Sequence, residues 1–512
     1  MANEIEKKGI FWWFGAEHGH TASRETSIPG TLTVTDEGKI RLQLEGALWL
    51  ESPRTGFGWD ESRWLPMDVR IAGCLGDYGG DGYVLLFDLL RTDFSLPDDT
   101  PIRQSYEAQM CFKSDSAFST DFDLDHFHTL RIELQGLEEW LRLESIDVGY
   151  ECREGDRTEF TVSYNNHEFE YQTERAKVTV ENLILGAPVI RLSEALTSEV
   201  HIRQTNWLVY TPTDQSLFSE LRTAYSRIEE VIALFLGRYF RLDWPQFVAK
   251  YGEFDDWYTL YFPRGPKSEK LTNFYFFWTI FHSVRDRFGD LLSRWQTNTE
   301  KYGAAYELYM ASMQAPLPHT EHQFVNLVWA VESLHRSWQG ENEEPAYVAR
   351  RKKRIEAVLG RFDEATDKKL RDWLKGKLRY AYEPTLQERI VEVFQRLPFD
   401  LDSAQLQSFA ARCAKRRNGI SHEGGRESDE SAETFRSDIQ ELAEALKYLF
   451  HALLLHEIGL SSELLIRAMT EGGLAERDVL PCLRRISLNL LKTTAKSSEI
   501  IPGAIESGEC SP

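Results

Sequence analysis

The period of the hydrophobic pattern changes once along this chain, near Pro212, and the change predicts two kinds of structure. Between Ile10 and about Ile202 polar and apolar residues alternate, as in Thr31-Leu32-Thr33-Val34-Thr35 and Lys39-Ile40-Arg41-Leu42-Gln43-Leu44. Pro29-Gly30 and Glu37-Gly38 punctuate these runs as turn signals. A period of two sends every second side chain to one face, so the runs predict half-buried strands. Further runs at Tyr83 to Leu90, Thr129 to Leu134, Glu159 to Val162, Phe169 to Gln172 and Lys177 to Val180 extend them into a β-rich domain over 1–205, sandwich or barrel-like.

Beyond Pro212 the apolar residues Leu217, Leu221, Ala224, Ile228, Ile232, Phe235 and Tyr239 recur every three or four positions, which predicts a long amphipathic helix closing near Trp244-Pro245. The aromatic run Phe274 to Phe281 predicts another helix, buried on most sides, so 206–318 reads as a helical connector. From His322 onward one stripe is Phe324, Leu327, Val331, Leu334 and Trp338, and another is Phe435, Ile439, Leu442, Leu446, Leu449 and Leu453. Helices are predicted between them near Tyr347 to Leu359, Ala365 to Tyr380, Thr385 to Leu397 and Ser403 to Asn418. The expectation is an α+β chain with an all-α bundle over 319–470. After Gly459 come two short helical patterns, and 471–512 ends in a polar tail, Thr493 to Pro512, expected to be mobile.

Composition narrows the function. The 512 residues carry 59 Lys or Arg against 81 Asp or Glu, a net charge of −22, so any contact with nucleic acid must rest on a local basic patch. The apolar runs fall far short of the roughly 18 residues that span a bilayer, and Met1 to Lys8 is too charged for a signal peptide. No membrane partner is expected. Six scattered cysteines without a CxxC pair predict reduced thiols, and with them a cytoplasmic protein.

One helix carries the candidate chemistry. Leu406, Ala410, Cys413, Arg417 and Ile420 are spaced four, three, four and three, which puts Arg417 on the buried stripe. A guanidinium there is costly unless a carboxylate, a phosphate or a partner chain receives it. The helix is expected to end at Asn418-Gly419, with His422 in the turn beyond. A histidine titrating near neutral pH can take the proton of a ribose 2'-hydroxyl, while an arginine holds the phosphate and offsets transition-state charge. The competing reading is a structural salt bridge for Arg417 and a plain turn position for His422.

The segment Arg417-Asn418-Gly419-Ile420-Ser421-His422 resembles the Arg-Asn-x-x-x-His signature of HEPN-domain ribonucleases. Three further segments are similar to the ApeA-like family of bacterial anti-phage proteins: Phe324 through His335, Glu383-Pro384-Thr385-Leu386-Gln387-Glu388-Arg389-Ile390, and the N-terminal Gly9-Ile10-Phe11-Trp12-Trp13-Phe14 with Pro29-Gly30-Thr31-Leu32-Thr33-Val34. The resemblance implies an endoribonuclease without metal or cofactor, leaving a 2',3'-cyclic phosphate and a 5'-hydroxyl. It implies an active site assembled from two motif copies across a HEPN homodimer, or within a higher oligomer. Its implied role is cleavage of host RNA in abortive infection, on a phage-derived trigger the sequence does not identify. By the same mapping Arg417 and His422 are the catalytic pair, Asn418 orients the pair or the phosphate, and Glu332 faces the motif from the first bundle helix. A carboxylate on an otherwise apolar stripe wants a cation such as Arg417; an ordinary surface glutamate is the alternative. Position 424 is Gly424, so the related Arg-x4-His-x-Tyr pattern of HEPN toxins with a nucleotidyltransferase partner is not met.

An RNA substrate needs a positive cradle, and residues 350–380 hold 12 Lys or Arg against 5 Asp or Glu. Arg350, Arg351, Lys352, Lys353 and Arg354 are its densest part, and Lys415 and Arg416 add charge beside the motif. A solvated helix face explains such a run equally well. Unstacked RNA loops such as tRNA anticodons suit in-line attack, which a duplex forbids. His126-x-His128 near Cys111 or Cys152 fits no common zinc spacing, and Glu332-x-x-His335 is half of a di-iron motif without its second copy, so no metal site is expected. Two other classes stay open: a non-catalytic HEPN module that dimerises or scaffolds RNA or protein, and a regulator whose β-rich domain is the active part.

Overall fold

The computed structural model describes residues 3–14, 27–46, 48, 65, 69–95, 103–119, 122–143, 145–153, 157–192, 198–251, 254–266, 271, 274–314, 319–339, 346–362, 368–422 and 430–490. The chain divides into two compact units, residues 1–300 with 313–315, and residues 301–312 with 316–512. Among the described residues no helix is long and apolar enough to cross a membrane.

The first unit holds strands β1 (Asn3–Phe14), β2 (Ile28–Thr35), β3 (Ile40–Leu44), β4 (Arg70–Leu75), β5 (Tyr83–Ser95), β6 (Arg103–Ser114), β7 (Phe127–Glu133), β8 (Ile146–Arg153), β9 (Arg157–Tyr164), β10 (Glu168–Gln172), β11 (Ala176–Leu192), β12 (Ser198–Pro212), β13 (Gln246–Tyr251) and β14 (Phe254–Tyr261). Six of them close an antiparallel barrel in the order β1-β2-β3-β6-β5-β4, so the barrel alternative of the β-rich expectation is the one realised. The alternation read from the sequence fills it with Leu32, Val34, Ile40, Leu42 and Leu44, which join Phe11, Trp13 and Tyr106 in one buried cluster. β6 joins the barrel to the rest of one twelve-stranded sheet. Its first half pairs with β3, while Cys111 to Lys113 pair with β14 and carry the sheet onward as β14-β13-β7-β12-β11-β10.

Two glycines of the N-terminal signature are explained by barrel closure. Gly9 pairs with Gly30 across β1 and β2, and a Cβ at Gly9 would stand 2.4 Å from the carbonyl oxygen of Cys74 on β4. A Cβ at Gly30 would stand 2.6 Å from the Gln43 carbonyl oxygen on β3.

The helical reading of 206–318 needs correction. Helices α1 (Glu138–Leu141), α2 (Phe218–Leu236), α3 (Phe281–Val284) and α4 (Phe288–Gln314) are present, but residues 246–261 form the hairpin β13–β14 inside the large sheet. Three consecutive buried residues, Phe247, Val248 and Ala249, hide the strand alternation there. α2 stops at Gly237, whose φ of 73° is left-handed and whose missing side chain leaves room for the Trp278 ring. The aromatic run is a helix only for one 3-10 turn, Phe274–Phe276, because Phe277, Trp278 and Phe281 enter the core as separate anchors.

In the second unit α5 (Thr320–Gln339), α6 (Ala346–Leu359), α7 (Lys368–Leu378), α8 (Leu386–Phe394), α9 (Ser403–His422), α10 (Ala432–Glu457) and α11 (Ser462–Thr470) follow one another. α5, α8, α9 and α10 pack as a four-helix bundle, and α6 and α7 are inserted between its first two members. Both predicted stripes are buried: Phe324, Leu327, Val331, Leu334 and Trp338 on α5, and Phe435 through Leu453 on α10. The tail from Thr493 lies outside the described residues.

Replacing Gly9 with Val should cost about 2–3 kcal/mol by forcing β4 away from β1. Urea unfolding followed by Trp fluorescence checks this, and an unchanged midpoint would show that the Cys74 carbonyl has room to move.

Candidate functional site

Leu406, Phe409, Ala410 and Cys413 of α9 are buried against the bundle, and the stripe one turn later presents Arg417. Its side chain is 23% exposed and stands opposite Glu332 of α5, which is 17% exposed, with Nη2 3.6 Å from Oε2. At that distance the pair is an electrostatic contact and not a hydrogen bond. The other carboxylate oxygen, Oε1, accepts from Arg336 Nη2 at 2.9 Å. Arg417 Nη1 donates to Asn418 Oδ1 at 3.2 Å, and its buried Nε has no acceptor among the described residues.

The neighbouring arginine is bound quite differently. Arg416 donates both terminal nitrogens to Glu430, at 2.6 and 2.8 Å, and its Nε to Asp438 of α10. Arg412 adds a 2.5 Å bond to the same Asp438. Burial by itself would raise the Asp438 carboxyl, but the bonds from Arg412 and Arg416 outweigh it and hold it below its ordinary value. Arg416 thus clamps α9 to α10, with its guanidinium fully used. A cleft of about 680 Å³ beside this clamp, lined by Arg412, Lys415, Glu433, Ser437 and Glu441 among others, faces α10 and not Glu332.

His422 is the last residue of α9, so the helix does not end at Asn418-Gly419 and His422 does not sit in a turn. A glycine near a helix end costs about 1 kcal/mol relative to alanine, and the buried stripe upstream outweighs it. Five residues of helix turn by about 140° and rise by roughly 7.5 Å, so the positions of Arg417 and His422 lie on different faces of α9.

Of the basic run on α6, Arg351 is bound in a fork by Glu388 at 2.6 and 3.1 Å and also donates to the Glu383 carbonyl. Lys352 lies over the Tyr382 ring at 4.8 Å, whereas Arg350, Lys353, Arg354 and Lys415 are exposed. Arg351 and Arg416 are therefore engaged by carboxylates. Of the weak zinc candidates, Cys111 is fully buried, and His128 faces Asp255 at 3.6 Å.

Sequence reasoning missed the polar centre beside Glu332. One turn along α5, His335 is 3% exposed, and its Nε2 lies 2.7 Å from Glu392 Oε2 of α8. Glu392 also accepts from the Tyr347 hydroxyl at 2.6 Å. Arg389, 2% exposed, donates to the Pro384 carbonyl, to Glu383 Oε2 and toward His335 Nδ1 at 3.4 Å. An arginine has only donors, so Nδ1 must accept and Nε2 must carry the proton given to Glu392. Burial first, with Arg389 and Arg396 nearby, pushes the His335 pKa below 6.5 despite Glu392, in agreement with that neutral tautomer. Glu332 and His335 looked like one pair in sequence, yet they serve two helices: Glu332 faces α9, and His335 faces α8. The available signal was Arg389, a cation set among the apolar Ile390, Val391, Val393 and Phe394 behind the capping box Thr385-x-x-Glu388. Trp329, one turn before Glu332, is also unanticipated and remains 44% exposed.

His335→Gln keeps a donor for Glu392 but cannot be protonated. The unfolded wild type takes up a proton near pH 6.5 that folded His335 resists, so wild-type stability falls relative to the variant as pH drops below that value. Urea midpoints of both proteins from about pH 8 to about pH 5 should converge on the acid side; a constant gap would mean that His335 is not held neutral.

The ApeA-like HEPN family model matches residues 325–464, and that of ApeA N-terminal domain 1 matches residues 6–295. No curated protein and no solved structure matches the chain.

Proposed function

Since the chain belongs to the ApeA-like HEPN family, whose HEPN domains are in general ribonucleases, we propose that it is a metal-independent endoribonuclease of anti-phage defence, cutting host RNA in the cytoplasm. The observation that carries this reading is the contrast between adjacent arginines: Arg416 is saturated by carboxylates, while Arg417 is held at 3.6 Å by one carboxylate and keeps a buried Nε without an acceptor among the described residues. An under-used guanidinium fixed in position suits an anion that arrives with the substrate.

In the proposed reaction His422 takes the proton of a ribose 2'-hydroxyl, and that oxygen attacks the adjacent phosphorus. The bond from phosphorus to the 5'-oxygen breaks, and the leaving oxygen takes a proton from solvent water while His422 returns its proton to solvent. The products are a 2',3'-cyclic phosphate and a 5'-hydroxyl. Arg417 holds the phosphate oxygens as charge builds on them, Glu332 sets the guanidinium in place, and Asn418 orients it. With the positions of Arg417 and His422 on different faces of one helix, the proposed site takes Arg417 from one copy of α9 and His422 from another. The exposed Trp329 beside Glu332 supports a surface there that a second copy covers. Unstacked loops, tRNA anticodons among them, are the proposed substrates.

Incubation of wild-type protein with total bacterial RNA in EDTA, with and without lysate of infected cells, should yield cuts ending in cyclic phosphate. His422→Ala and Arg417→Ala should each cost at least about 10²-fold and leave no detectable cutting. Intact RNA in every condition would replace this reading with a non-catalytic HEPN module.

A further inference from the structure

The hairpin of α6 and α7 is the part of the bundle whose chemistry the site leaves unused. No residue of α7 is buried. Arg371, Leu374 and Leu378 form its half-buried side, and Lys369, Leu370, Trp373 and Lys377 form its exposed side. Trp373 is 58% exposed and Leu370 49%, and Tyr380, just past the helix, is 62% exposed with the Arg379 guanidinium 5.3 Å from its ring. A tryptophan left in water on an otherwise charged helix marks a contact surface. Lys369, Trp373 and Lys377 are four residues apart in sequence, so they stand in one line with about 6 Å of rise between neighbours.

Charge says what the surface meets. α6 and α7 together hold ten Lys or Arg and two Asp or Glu, in a chain whose net charge is −22. Arg351 is spent on Glu388 and fixes α6 to α8, while Lys353 and Arg354 point their charge outward. Two identical arms would repel each other, whereas a polyanion carrying flat bases satisfies both features at once. A duplex hides its base faces, so the strand must be single.

We propose that the α6–α7 hairpin is an arm for single-stranded RNA, in which Trp373 stacks on a base and Lys369 and Lys377 hold the phosphates on either side. The arm lies outside the Arg417 site and delivers the strand to it. This rests on the ribonuclease reading for its substrate class.

The test is fluorescence anisotropy with the full chain and a labelled 2'-O-methyl oligoadenylate of about 20 nucleotides, long enough to cover such a site. That probe has no 2'-hydroxyl to attack, so binding is read apart from cleavage. Trp373→Ala should raise Kd about tenfold and Trp373→Phe much less, since the ring is kept. Changing both Lys369 and Lys377 to Ala should flatten the slope of log K against log salt by about 1.4, two phosphates at roughly 0.7 each. Unchanged affinity in Trp373→Ala overturns the arm, as does failure of the wild type to bind. A change of mass in light scattering with unaltered Kd also overturns it, assigning the surface to a second copy. Trp373-dependent binding without cleavage of ordinary RNA supports the arm and sinks the ribonuclease reading; cleavage with Trp373-indifferent binding does the reverse.

Discussion

A guanidinium half-buried in a helical bundle must be answered by negative charge, and among the described residues of the second unit five arginines of the bundle show how. Arg351, Arg389, Arg412 and Arg416 each donate hydrogen bonds to a carboxylate, and together they tie α6 to α8, bind α8 to the segment that leads into it, and tie α9 to α10. Arg417 alone of the five has its carboxylate beyond hydrogen-bond distance. Removing one partner of a buried pair is costly, of order 3–5 kcal/mol, and Arg389 and Arg416, the most enclosed of the four, hold the frame in which Arg417 stays incompletely bonded.

α5 links that frame to the site. Its apolar stripe fills the core, and two polar residues one turn apart leave it in different directions. Glu332 reaches Arg417 on α9, while His335, locked neutral between Glu392 and Arg389, anchors the same turn to α8. The proposed ribonuclease site needs a carboxylate that positions Arg417 without consuming its donors. An anchored α5 supplies it.

Much of the fold was legible where periodicity was undiluted. Leu32 and Val34, or Ile40, Leu42 and Leu44, alternate cleanly because each strand has one face in the barrel. β4 and β13 were not, since Ile71 and Ala72, like Phe247 through Ala249, are buried at consecutive positions and lose the period of two. The aromatic run near Phe277 misled because helix and core anchor share the same composition. At the site, the stripe placed Arg417 on the inner face, and the apolar neighbours of Glu332 pointed to a cation. Which of two consecutive arginines is structural could not be read, because the carboxylates that decide it, Glu430 and Asp438, lie 14 and 22 residues beyond Arg416 and meet it only once α10 folds back. The end of α9 was misplaced for a local reason: Asn418-Gly419 weakens a helix without stopping it.

In the proposed enzyme Arg417 of one copy works with His422 of the other. Mixing two inactive full-length variants, Arg417→Ala and His422→Ala, tests it most directly. Subunit exchange would build mixed dimers with one intact site each, so RNA cleavage should return in the mixture while each variant alone stays silent. If the variants exchange subunits, as native mass spectrometry would register, and the mixture still leaves RNA intact, the shared site is contradicted.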